Sequence, residues 1–307
     1  MLRLYLRPVS LSTYALAIIL CIMARAAIPA EVAIVLSEKG GVYSEVADEM
    51  RRQLAAETKV SLHDTATLSS LEGSKPDFLV AVGAKAAQAL AARPAPTPLL
   101  VTLLPRTAFE QLVAGRRRGD RPMSAIFLDQ PFARQLNLIR LALPSAKRIG
   151  ILLGADPHPH FYELNIAAME RQLHIQALQV EKGQDIAWTL QRLLPDIDLL
   201  LALPEPAVFN AGTIQMILLS AYRQQIPMIG FSAAYTRAGA ILSLHTTPQQ
   251  IAHQAGDMLR IALSSGRLPA PQPPREYQVS TNPHVARSLG LAIESEQRLL
   301  QRLQSME

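Results

Sequence analysis

Two short segments of this chain contain residue types that are used in catalysis or metal binding. The first, Gly230-Phe231-Ser232-Ala233-Ala234, is similar to the sharp turn that exposes a nucleophilic serine. That turn requires a second glycine, and Ala234 stands in its place. We therefore interpret Ser232 as a ligand-contacting or helix-capping serine rather than a catalytic one.

The second segment, Asp156-Pro157-His158-Pro159-His160, offers one carboxylate and two imidazoles just after an apolar run. Its prolines impose an extended path, on which alternate residues point the same way, so His158 and His160 could converge on zinc or copper. The pair has no clear third protein ligand other than Asp156. We expect a loop whose histidines contact a ligand or solvent, and no bound metal.

Other patterns of cofactor binding are missing from the sequence. Neither a dinucleotide-binding glycine motif nor a Walker phosphate loop occurs, and Gly83-Ala84-Lys85 has a single glycine. Gly83 more simply ends a strand and opens a helix, whose first amides could hold a carboxylate. The single cysteine, Cys21, excludes an internal disulfide framework and every cysteine-cluster metal site. The sequence predicts no catalytic set and no cofactor.

The elements that must position these residues alternate between apolar strands and helices. Ala33–Leu36 is followed by apolar residues at helical spacing, and Phe78–Val82 is followed by an alanine-rich helical stretch. Further strand candidates are Leu99–Leu104, Ile126–Leu128, Ile149–Leu153, Ile175–Val180, Leu199–Leu203, Met228–Phe231 and Ile241–Leu244. Continuous apolar strands separated by helices predict an α/β protein with parallel sheets covered on both faces.

The two halves of the chain resemble each other. Three pairs of segments match in the same order at offsets of about 120 residues: Ala33–Ser37 with Gly150–Gly154, Pro76-Asp77 with Pro195-Asp196, and Pro98 with Pro227. Two similarly built halves predict two α/β lobes, with a small ligand bound in the cleft between them. The proline-rich segment Arg267–Pro274 cannot form a regular helix and is interpreted as a stiff connector that crosses between lobes.

The amino terminus is typical of an export signal. Arg3 and Arg7 precede the apolar run Leu11–Ala24, which ends in the small-residue pattern Ala24-Arg25-Ala26. This run is shorter than the roughly 20 residues needed to span a bilayer. We predict cleavage near Ala26 and a soluble protein in the periplasm or otherwise outside the cell. Three of the basic residues behind the formal charge of +5 belong to this segment, so the remaining charge indicates no nucleic-acid partner.

The predicted organisation therefore has three parts. The signal peptide covers 1–26. The first lobe covers 27–123 plus about 243–270, and the second covers 124–242 plus about 275–307.

Several segments of the second half resemble a known family. They are Leu199–Asn210, Ile214–Tyr222, Ile226–Ser232, Ala238–Ala240 and the ending Asn282–Leu291. Together with the helix that begins at Thr247-Pro248, they are similar to the substrate-binding proteins of ABC transporters that include tryptophan- and tyrosine-type receptors. The resemblance implies a type I periplasmic-binding-protein fold, with two Rossmann-like lobes, a multi-strand hinge and ligand capture by closure. It also implies an ABC permease as partner.

Ligand contacts in such a fold are expected in the loops that follow the carboxyl ends of strands. In the first lobe these loops hold Ser37, Tyr43, Gly83, Ala84 and Pro105. In the second lobe they hold Asp156, His158, Phe161, Glu205, Phe209, Ser232 and Tyr235. Three of the aromatic residues, Tyr43, Phe209 and Tyr235, are predicted to sandwich a planar ligand.

Three functions fit these observations. The first is an exported receptor that captures a small organic ligand, such as an amino acid or a small carboxylate, for an ABC importer. The second is an exported binding module for sensing or partner docking without a transporter. The third is an exported enzyme that uses Asp156, His158 and Ser232. Because no convincing catalytic set is present, we expect a binding protein rather than an enzyme.

Overall fold

The computed structural model of this chain describes residues 29–54, 58–71, 73–116, 120–154, 159–181 and 186–307. The predicted export signal lies outside these ranges, as do Asp156 and His158. Within them, no helix combines the length and the apolar character that crossing a membrane requires.

The first half of the chain forms a five-stranded parallel sheet with the strand order β2-β1-β3-β4-β5. Its strands are β1 (Ala30–Leu36), β2 (Thr58–Asp64), β3 (Phe78–Val82), β4 (Leu99–Leu104) and β5 (Met123–Phe127). Its helices are α1 (Gly41–Leu54), α2 (Ala84–Ala91) and α3 (Arg106–Val113), together with a 3-10 helix at Thr65–Leu71. Every residue of β3 is buried, because apolar clusters pack on both faces of the sheet.

The second half forms a six-stranded sheet with the order β11-β10-β9-β8-β6-β7, parallel except for β11. Its strands are β6 (Arg148–Leu153), β7 (His174–Gln179), β8 (Leu199–Leu201), β9 (Met228–Gly230), β10 (Leu242–His245) and β11 (Gln278–Thr281). The helices between β5 and β10 are α4 (Phe132–Ala142), α5 (Phe161–Met169), α6 (Ile186–Leu193), α7 (Ile214–Arg223) and α8 (Ala233–Ala238), with a 3-10 helix at Leu194–Asp196. Two further apolar clusters cover the faces of this sheet.

The long helix α9 (Pro248–Ser265) packs against the first sheet although it follows strands of the second sheet in sequence. Its apolar side chains, Ile251, Met258 and Leu259 among them, join the cluster formed by β1, β3 and α1. A capping box fixes the start of the helix, since Thr247 and Gln250 exchange side-chain and backbone hydrogen bonds. The chain then returns to the second lobe through β11, α10 (Pro283–Ser288) and α11 (Glu296–Gln304).

The sheets divide the chain differently from the predicted boundaries. Strand β5 was expected to open the second lobe at residue 124, but it pairs with β4 in the first sheet. Strand β10, apart from its first residue, lies in the stretch expected in the first lobe, but it pairs with β9 in the second. Both differences have the same cause. At these two crossings the chain leaves a lobe at the carboxyl end of a strand, so the boundary follows the strand rather than preceding it. Below, "first lobe" means the first sheet with α1–α3 and α9, and "second lobe" means the second sheet with the remaining helices.

Within the described residues the chain passes between the lobes at three places, after β5, after β10 and after α9. The three crossing segments are joined by hydrogen bonds. Gln130 Nε2 donates to Thr246 Oγ1 at 2.7 Å, and that hydroxyl donates to the carbonyl oxygen of Glu276 at 3.0 Å. The proline-rich connector lies along β5, where Gln272 exchanges backbone hydrogen bonds with Ala125 and Phe127. The predicted connector is therefore one of the crossing segments of a hydrogen-bonded hinge.

Candidate functional site

Four of the candidate residues meet at the carboxyl edge of the first sheet. Ser37 is buried, and its hydroxyl accepts a hydrogen bond from the backbone N–H of Ala86 in the first turn of α2 at 3.0 Å. Gly83 precedes Ala84 at the start of that helix, with a φ of +94°. A side chain at Gly83 would place its Cβ 2.5 Å from Cε1 of Tyr43 and 2.6 Å from Oγ of Ser37. Ser37, Tyr43 and Gly83 thus form one tightly packed corner of the first lobe.

The aromatic residues proposed for the second lobe lie in its core. Tyr235 is 8% exposed, with its ring centroid 4.6 Å from that of Phe231 and 6.5 Å from that of Phe209. Burial raises the pKa of the Tyr235 phenol well above its ordinary value. Phe209 is buried in the same cluster. The predicted sandwich of a planar ligand requires accessible ring faces. The rings of Tyr235 and Phe209 pack against each other and against core residues, so their faces are not accessible.

The remaining described candidates are dispersed around the second lobe. Glu205 lies opposite Gly154, with its Oε2 3.3 Å from where a Cβ on that glycine would stand. Ser232 is half-buried at the amino end of α8, where its side chain makes no capping hydrogen bond with the helix. Phe161 opens α5 and packs against the core. Tyr43, by contrast, packs against a core cluster of the first lobe.

A cavity of about 410 Å³ lies instead between the two lobes at the hinge. The amino ends of α3, α4 and α5, the segment that follows β5 and the proline-rich connector all contribute to its wall. Its lining residues are Arg106, Glu110, Phe127, Asp129, Gln130, Pro131, Phe132, His160, Glu163, Pro271 and Pro273. The cavity therefore combines groups from both lobes and from two of the three crossing segments.

Ion pairs join the lobes across this cavity. Arg106 of α3 donates to Oε1 of Glu110 at 3.1 Å and to Oε2 of Glu163, on the second lobe, at 3.0 Å. His160, just before α5, has Nε2 2.7 Å from Oε2 of Glu110 and Nδ1 3.4 Å from Oε2 of Glu163. Two carboxylates, one on each lobe, thus share one guanidinium and one imidazole.

Asp129 occupies the hinge side of the same cavity. Its Oδ2 accepts a hydrogen bond of 2.6 Å from the backbone N–H of Arg106, the first residue of α3. Burial raises the pKa of this carboxyl to about 6, an effect that outweighs the lowering by backbone hydrogen bonds and by the nearby charges of Arg106 and His160. A carboxyl group that titrates close to neutral pH therefore lies in the wall of the cavity.

This arrangement suits binding. Among the described residues, no group of three or more His, Cys, Asp or Glu side chains is placed to hold a metal ion. His160, the last residue of the Asp156–His160 segment, faces carboxylates of α3 and α5. The cavity offers charged groups, an amide and apolar walls on two bodies joined by a hinge, which is the general form of a small-molecule site.

Most residues of this cavity were not predicted from the sequence, although the signal for some of them is present. Arg106 directly follows the candidate Pro105 after β4, and Asp129 is the second residue after β5. The rule that ligands bind beyond the carboxyl ends of strands would have included both, had it been extended along these two loops. Glu110 and Glu163 lie inside helices, where nothing local distinguishes them from solvated surface residues.

Comparison with known proteins gives one sequence family and many structures. The profile of the family described as ABC transporter substrate binding protein matches residues 43–302. No curated protein sequence matches the chain significantly.

Three similar solved structures illustrate the fold. A conserved domain protein from Vibrio cholerae is 21% identical, with a TM-score of 0.66 over 89% of this chain and 98% of that one. An ABC domain from Streptococcus pneumonia in complex with L-Trp is 16% identical, with a TM-score of 0.66 over 89% and 97% of the two chains. A substrate-binding protein with adhesive properties from Clostridium difficile, solved in a ligand-free, open state, is 14% identical, with a TM-score of 0.65 over 87% and 96%. At these identities the structures bear on the fold alone, and they confirm the predicted type I periplasmic-binding-protein architecture.

Proposed function

This chain belongs to the family of ABC transporter substrate-binding proteins, and we propose that it is an exported receptor that captures a small organic solute between its lobes for an ABC importer. The family is one of binding proteins, and a solute receptor is the function it supports. Export, the importer and the place of capture are the parts that we propose.

The observation that carries the proposal is the cavity at the hinge. Arg106 and Glu110 on the first lobe face His160 and Glu163 on the second, with Asp129 on a crossing segment between them. A ligand that contacts both lobes favours the orientation in which all contacts are made, so binding and closure are coupled. Such a protein needs no acid or base poised for catalysis.

The alternative is an exported module for sensing or partner docking, and one surface feature fits it as well as it fits the receptor. Tyr162, Ile166 and Met169 repeat at helical spacing along α5 and leave apolar side chains in solvent, with Tyr162 77% and Met169 73% exposed. Exposed apolar stripes are commonly contact surfaces for other proteins. A permease and a sensor are both proteins, so this stripe suits either function, and only solute uptake separates them.

The test begins with a thermal-shift screen of the mature chain, residues 27–307, against amino acids, amines, sugars and carboxylates. A binding solute is expected to raise the unfolding temperature in proportion to the logarithm of its concentration. Uptake of that solute is then compared in cells that express or lack this protein. Binding with unchanged uptake would favour the sensing module, and a screen in which nothing binds would contradict the receptor proposal.

A matched pair of variants tests the place of binding. Phe132 and Phe161 are half-buried phenylalanines that open α4 and α5 and pack against the same core cluster, but only Phe132 lines the cavity. Phe132→Ala is expected to weaken solute binding by about 1–2 kcal/mol, part of the value of burying a large apolar side chain. Phe161→Ala, the control, is expected to leave the affinity unchanged. If Phe161→Ala weakens binding and Phe132→Ala does not, the solute binds at the loops predicted from the sequence and not in the cavity.

A further inference from the structure

Negatively charged groups outnumber positively charged groups in the wall of the cavity. Glu110, Asp129 and Glu163 provide three carboxyl groups, whereas Arg106 and His160 provide one guanidinium and one imidazole. The cavity is therefore expected to have a negative potential, which is strengthened by the low-dielectric walls of a cleft.

The cationic side chains of the cavity already have anionic partners. Arg106 contacts both Glu110 and Glu163, and His160 contacts the same two carboxylates. An anionic ligand that reaches Arg106 or His160 would lie beside the negative charges of Glu110 and Glu163, which repel it. The geometry therefore disfavours a small carboxylate, one of the ligand classes expected from the sequence.

Asp129 differs from the two glutamates in its partners. Its carboxylate accepts the backbone N–H of Arg106 and has no side-chain cation in contact among the residues that the structure describes. Asp129 is half-buried, and a partly desolvated carboxylate that no cation contacts directly is costly to ionise. A cationic group brought by a ligand would relieve that cost, and an ammonium or amidinium also donates hydrogen bonds to the carboxylate oxygens.

The other walls of the cavity limit the body of the ligand. Phe127 and Phe132 line it together with Pro131, Pro271 and Pro273, none of which presents a side-chain charge. A volume of about 410 Å³ accommodates a compact molecule, in the lower part of the range of small-molecule sites.

We propose that this cavity selects a compact organic cation, with an ammonium or amidinium group beside Asp129 and an apolar body against Phe132 and the hinge prolines. The inference rests on the proposed function, because it names the class of solute that the receptor captures. It assigns Asp129 as the residue that determines the charge of the ligand.

The experiment compares ligands that share a carbon skeleton and differ in charge. The probes are 2-phenylethylamine, 3-phenylpropanamide and 3-phenylpropionate, and the same three functional groups on cyclohexylmethyl and indolylethyl skeletons. Affinities for the mature chain are measured by calorimetry. The amines are expected to bind about tenfold or more tightly than the carboxylates, which is the scale of a hydrogen bond to a charged group.

Two variants locate the effect. Asp129→Asn removes the charge but keeps an oxygen that accepts the N–H of Arg106, so the start of α3 is retained, and it is expected to abolish the preference for amines. Glu170→Gln is the control, because Glu170 is an exposed carboxylate just after α5, outside the cavity. It is expected to leave the preference intact.

The outcomes separate this inference from the proposed function. Carboxylates or amides that bind more tightly than the matched amines would overturn the cationic class and leave the receptor intact. Amine selectivity that persists in Asp129→Asn would overturn the role of Asp129. If no probe of any charge binds, and the wider screen also finds nothing, both the inference and the receptor fail together.

Discussion

Asp129 serves the helix and the cavity at once. Its carboxylate accepts the N–H of Arg106 at the start of α3, a position where a negative charge is favourable, and it also lines the space between the lobes. Burial opposes its ionisation, and the pKa of about 6 shows that burial has the larger effect. This residue therefore links the local geometry of the hinge to the pH of the surroundings.

The raised pKa of Asp129 gives the stability of the protein a defined dependence on pH. The folded state binds this proton more tightly than the unfolded state, in which an aspartate titrates near pH 3.9. The contribution of Asp129 to the free energy of unfolding is thus fullest below about pH 4 and is lost as the pH rises through about 6. Urea unfolding of wild type and Asp129→Asn should show the wild type losing stability relative to the variant over this range.

Arg106, Glu110, His160 and Glu163 also face this cavity and are present in both proteins, so the comparison isolates the carboxyl group of Asp129. Parallel pH profiles of the two proteins would contradict the raised pKa.

Gly83 illustrates how closely the predicted first-lobe residues pack. Gly83→Ala is expected to lower the free energy of unfolding by about 2–4 kcal/mol, because it combines a backbone strained for an L-residue with overlap at Tyr43 and Ser37. Gly40 has a similar φ of +89°, but no atom lies within 4 Å of where its Cβ would stand, so Gly40→Ala measures the backbone cost alone. Equal losses in the two variants, measured by urea unfolding, would show that the corner relaxes freely.

At the scale of single residues, the sequence predicts where a candidate residue lies in the fold more readily than what its side chain contacts. Ser37, Tyr43 and Gly83 were expected at one strand edge, and they do meet there. Whether an aromatic ring faces a cleft or a core depends on distant neighbours, and Phe231 and Phe209 enclose Tyr235 in a way that no local pattern reveals. The pairing of Arg106 with Glu163 likewise joins residues on different lobes, which sequence spacing does not encode.

The elements that position the cavity begin and end at residues whose local chemistry is readable. Thr247 and Gln250 form the capping box that the sequence indicates, and β3 is the fully buried strand expected from its apolar run. Strands β2 and β11 were not predicted, because both are edge strands with polar residues and partial burial rather than continuous apolar runs. The pairing of such an edge strand depends on the neighbouring strand of the sheet and cannot be recognised from its own residue composition.

The contribution of the α9 capping box to the free energy of unfolding can be measured. Thr247→Ala removes the acceptor for the N–H of Gln250 and is expected to cost about 1 kcal/mol of unfolding free energy. Thr247→Ser keeps the hydroxyl and is the matched control, with a loss well below that of alanine. Because α9 packs on the first lobe just after a hinge crossing, we expect the loss in the main thermal transition. A serine variant as unstable as the alanine variant would assign the effect to the lost methyl group instead.

At the scale of the whole molecule, the part of the chain that the structure describes forms two sheets, which are joined by three crossing segments and bridged by side chains on the cavity side. Gln130, Thr246 and Glu276 fix the crossings to one another. The half-repeat and the connector allowed two lobes to be predicted, but the boundary was placed a strand too early, because the chain crosses only after β5 has completed the first sheet. Hinge motions are absorbed by a few loop residues between rigid bodies, and the crossing segments hold that position between these lobes.

Export is the property of the whole chain that rests on sequence alone. The basic start, the apolar run Leu11–Ala24 and the pattern Ala24-Arg25-Ala26 together predict removal of the first 26 residues. Amino-terminal sequencing of the protein purified from cells should give a start at or near Ala27. A chain that still begins at Met1 in a membrane fraction would contradict cleavage.

The ion pairs across the cavity are expected to set the resting orientation of the lobes. Arg106 and Glu163 are 36% and 53% exposed, so their pair should add only about 0–1 kcal/mol to the free energy of unfolding. Two lobe orientations that differ by a similar energy would nevertheless change their populations severalfold. Arg106→Gln is therefore expected to increase the mean distance between the lobes and to broaden the distribution of these distances. The unfolding temperature should stay almost unchanged.

This distance can be measured by double electron–electron resonance between two nitroxide labels. The labels are attached to cysteines introduced at Gln88 and Tyr162, which are exposed positions on different lobes. The only native cysteine of the sequence, Cys21, lies in the predicted signal and does not interfere. Arg148→Gln is the control, since Arg148 pairs with Asp198 at 2.7 Å within the second lobe. High salt should move the wild type toward the distance seen in Arg106→Gln, because screening weakens exposed ion pairs. If Arg106→Gln and Arg148→Gln give the same distance distribution, the hinge itself and not the ion pairs determines how the lobes rest.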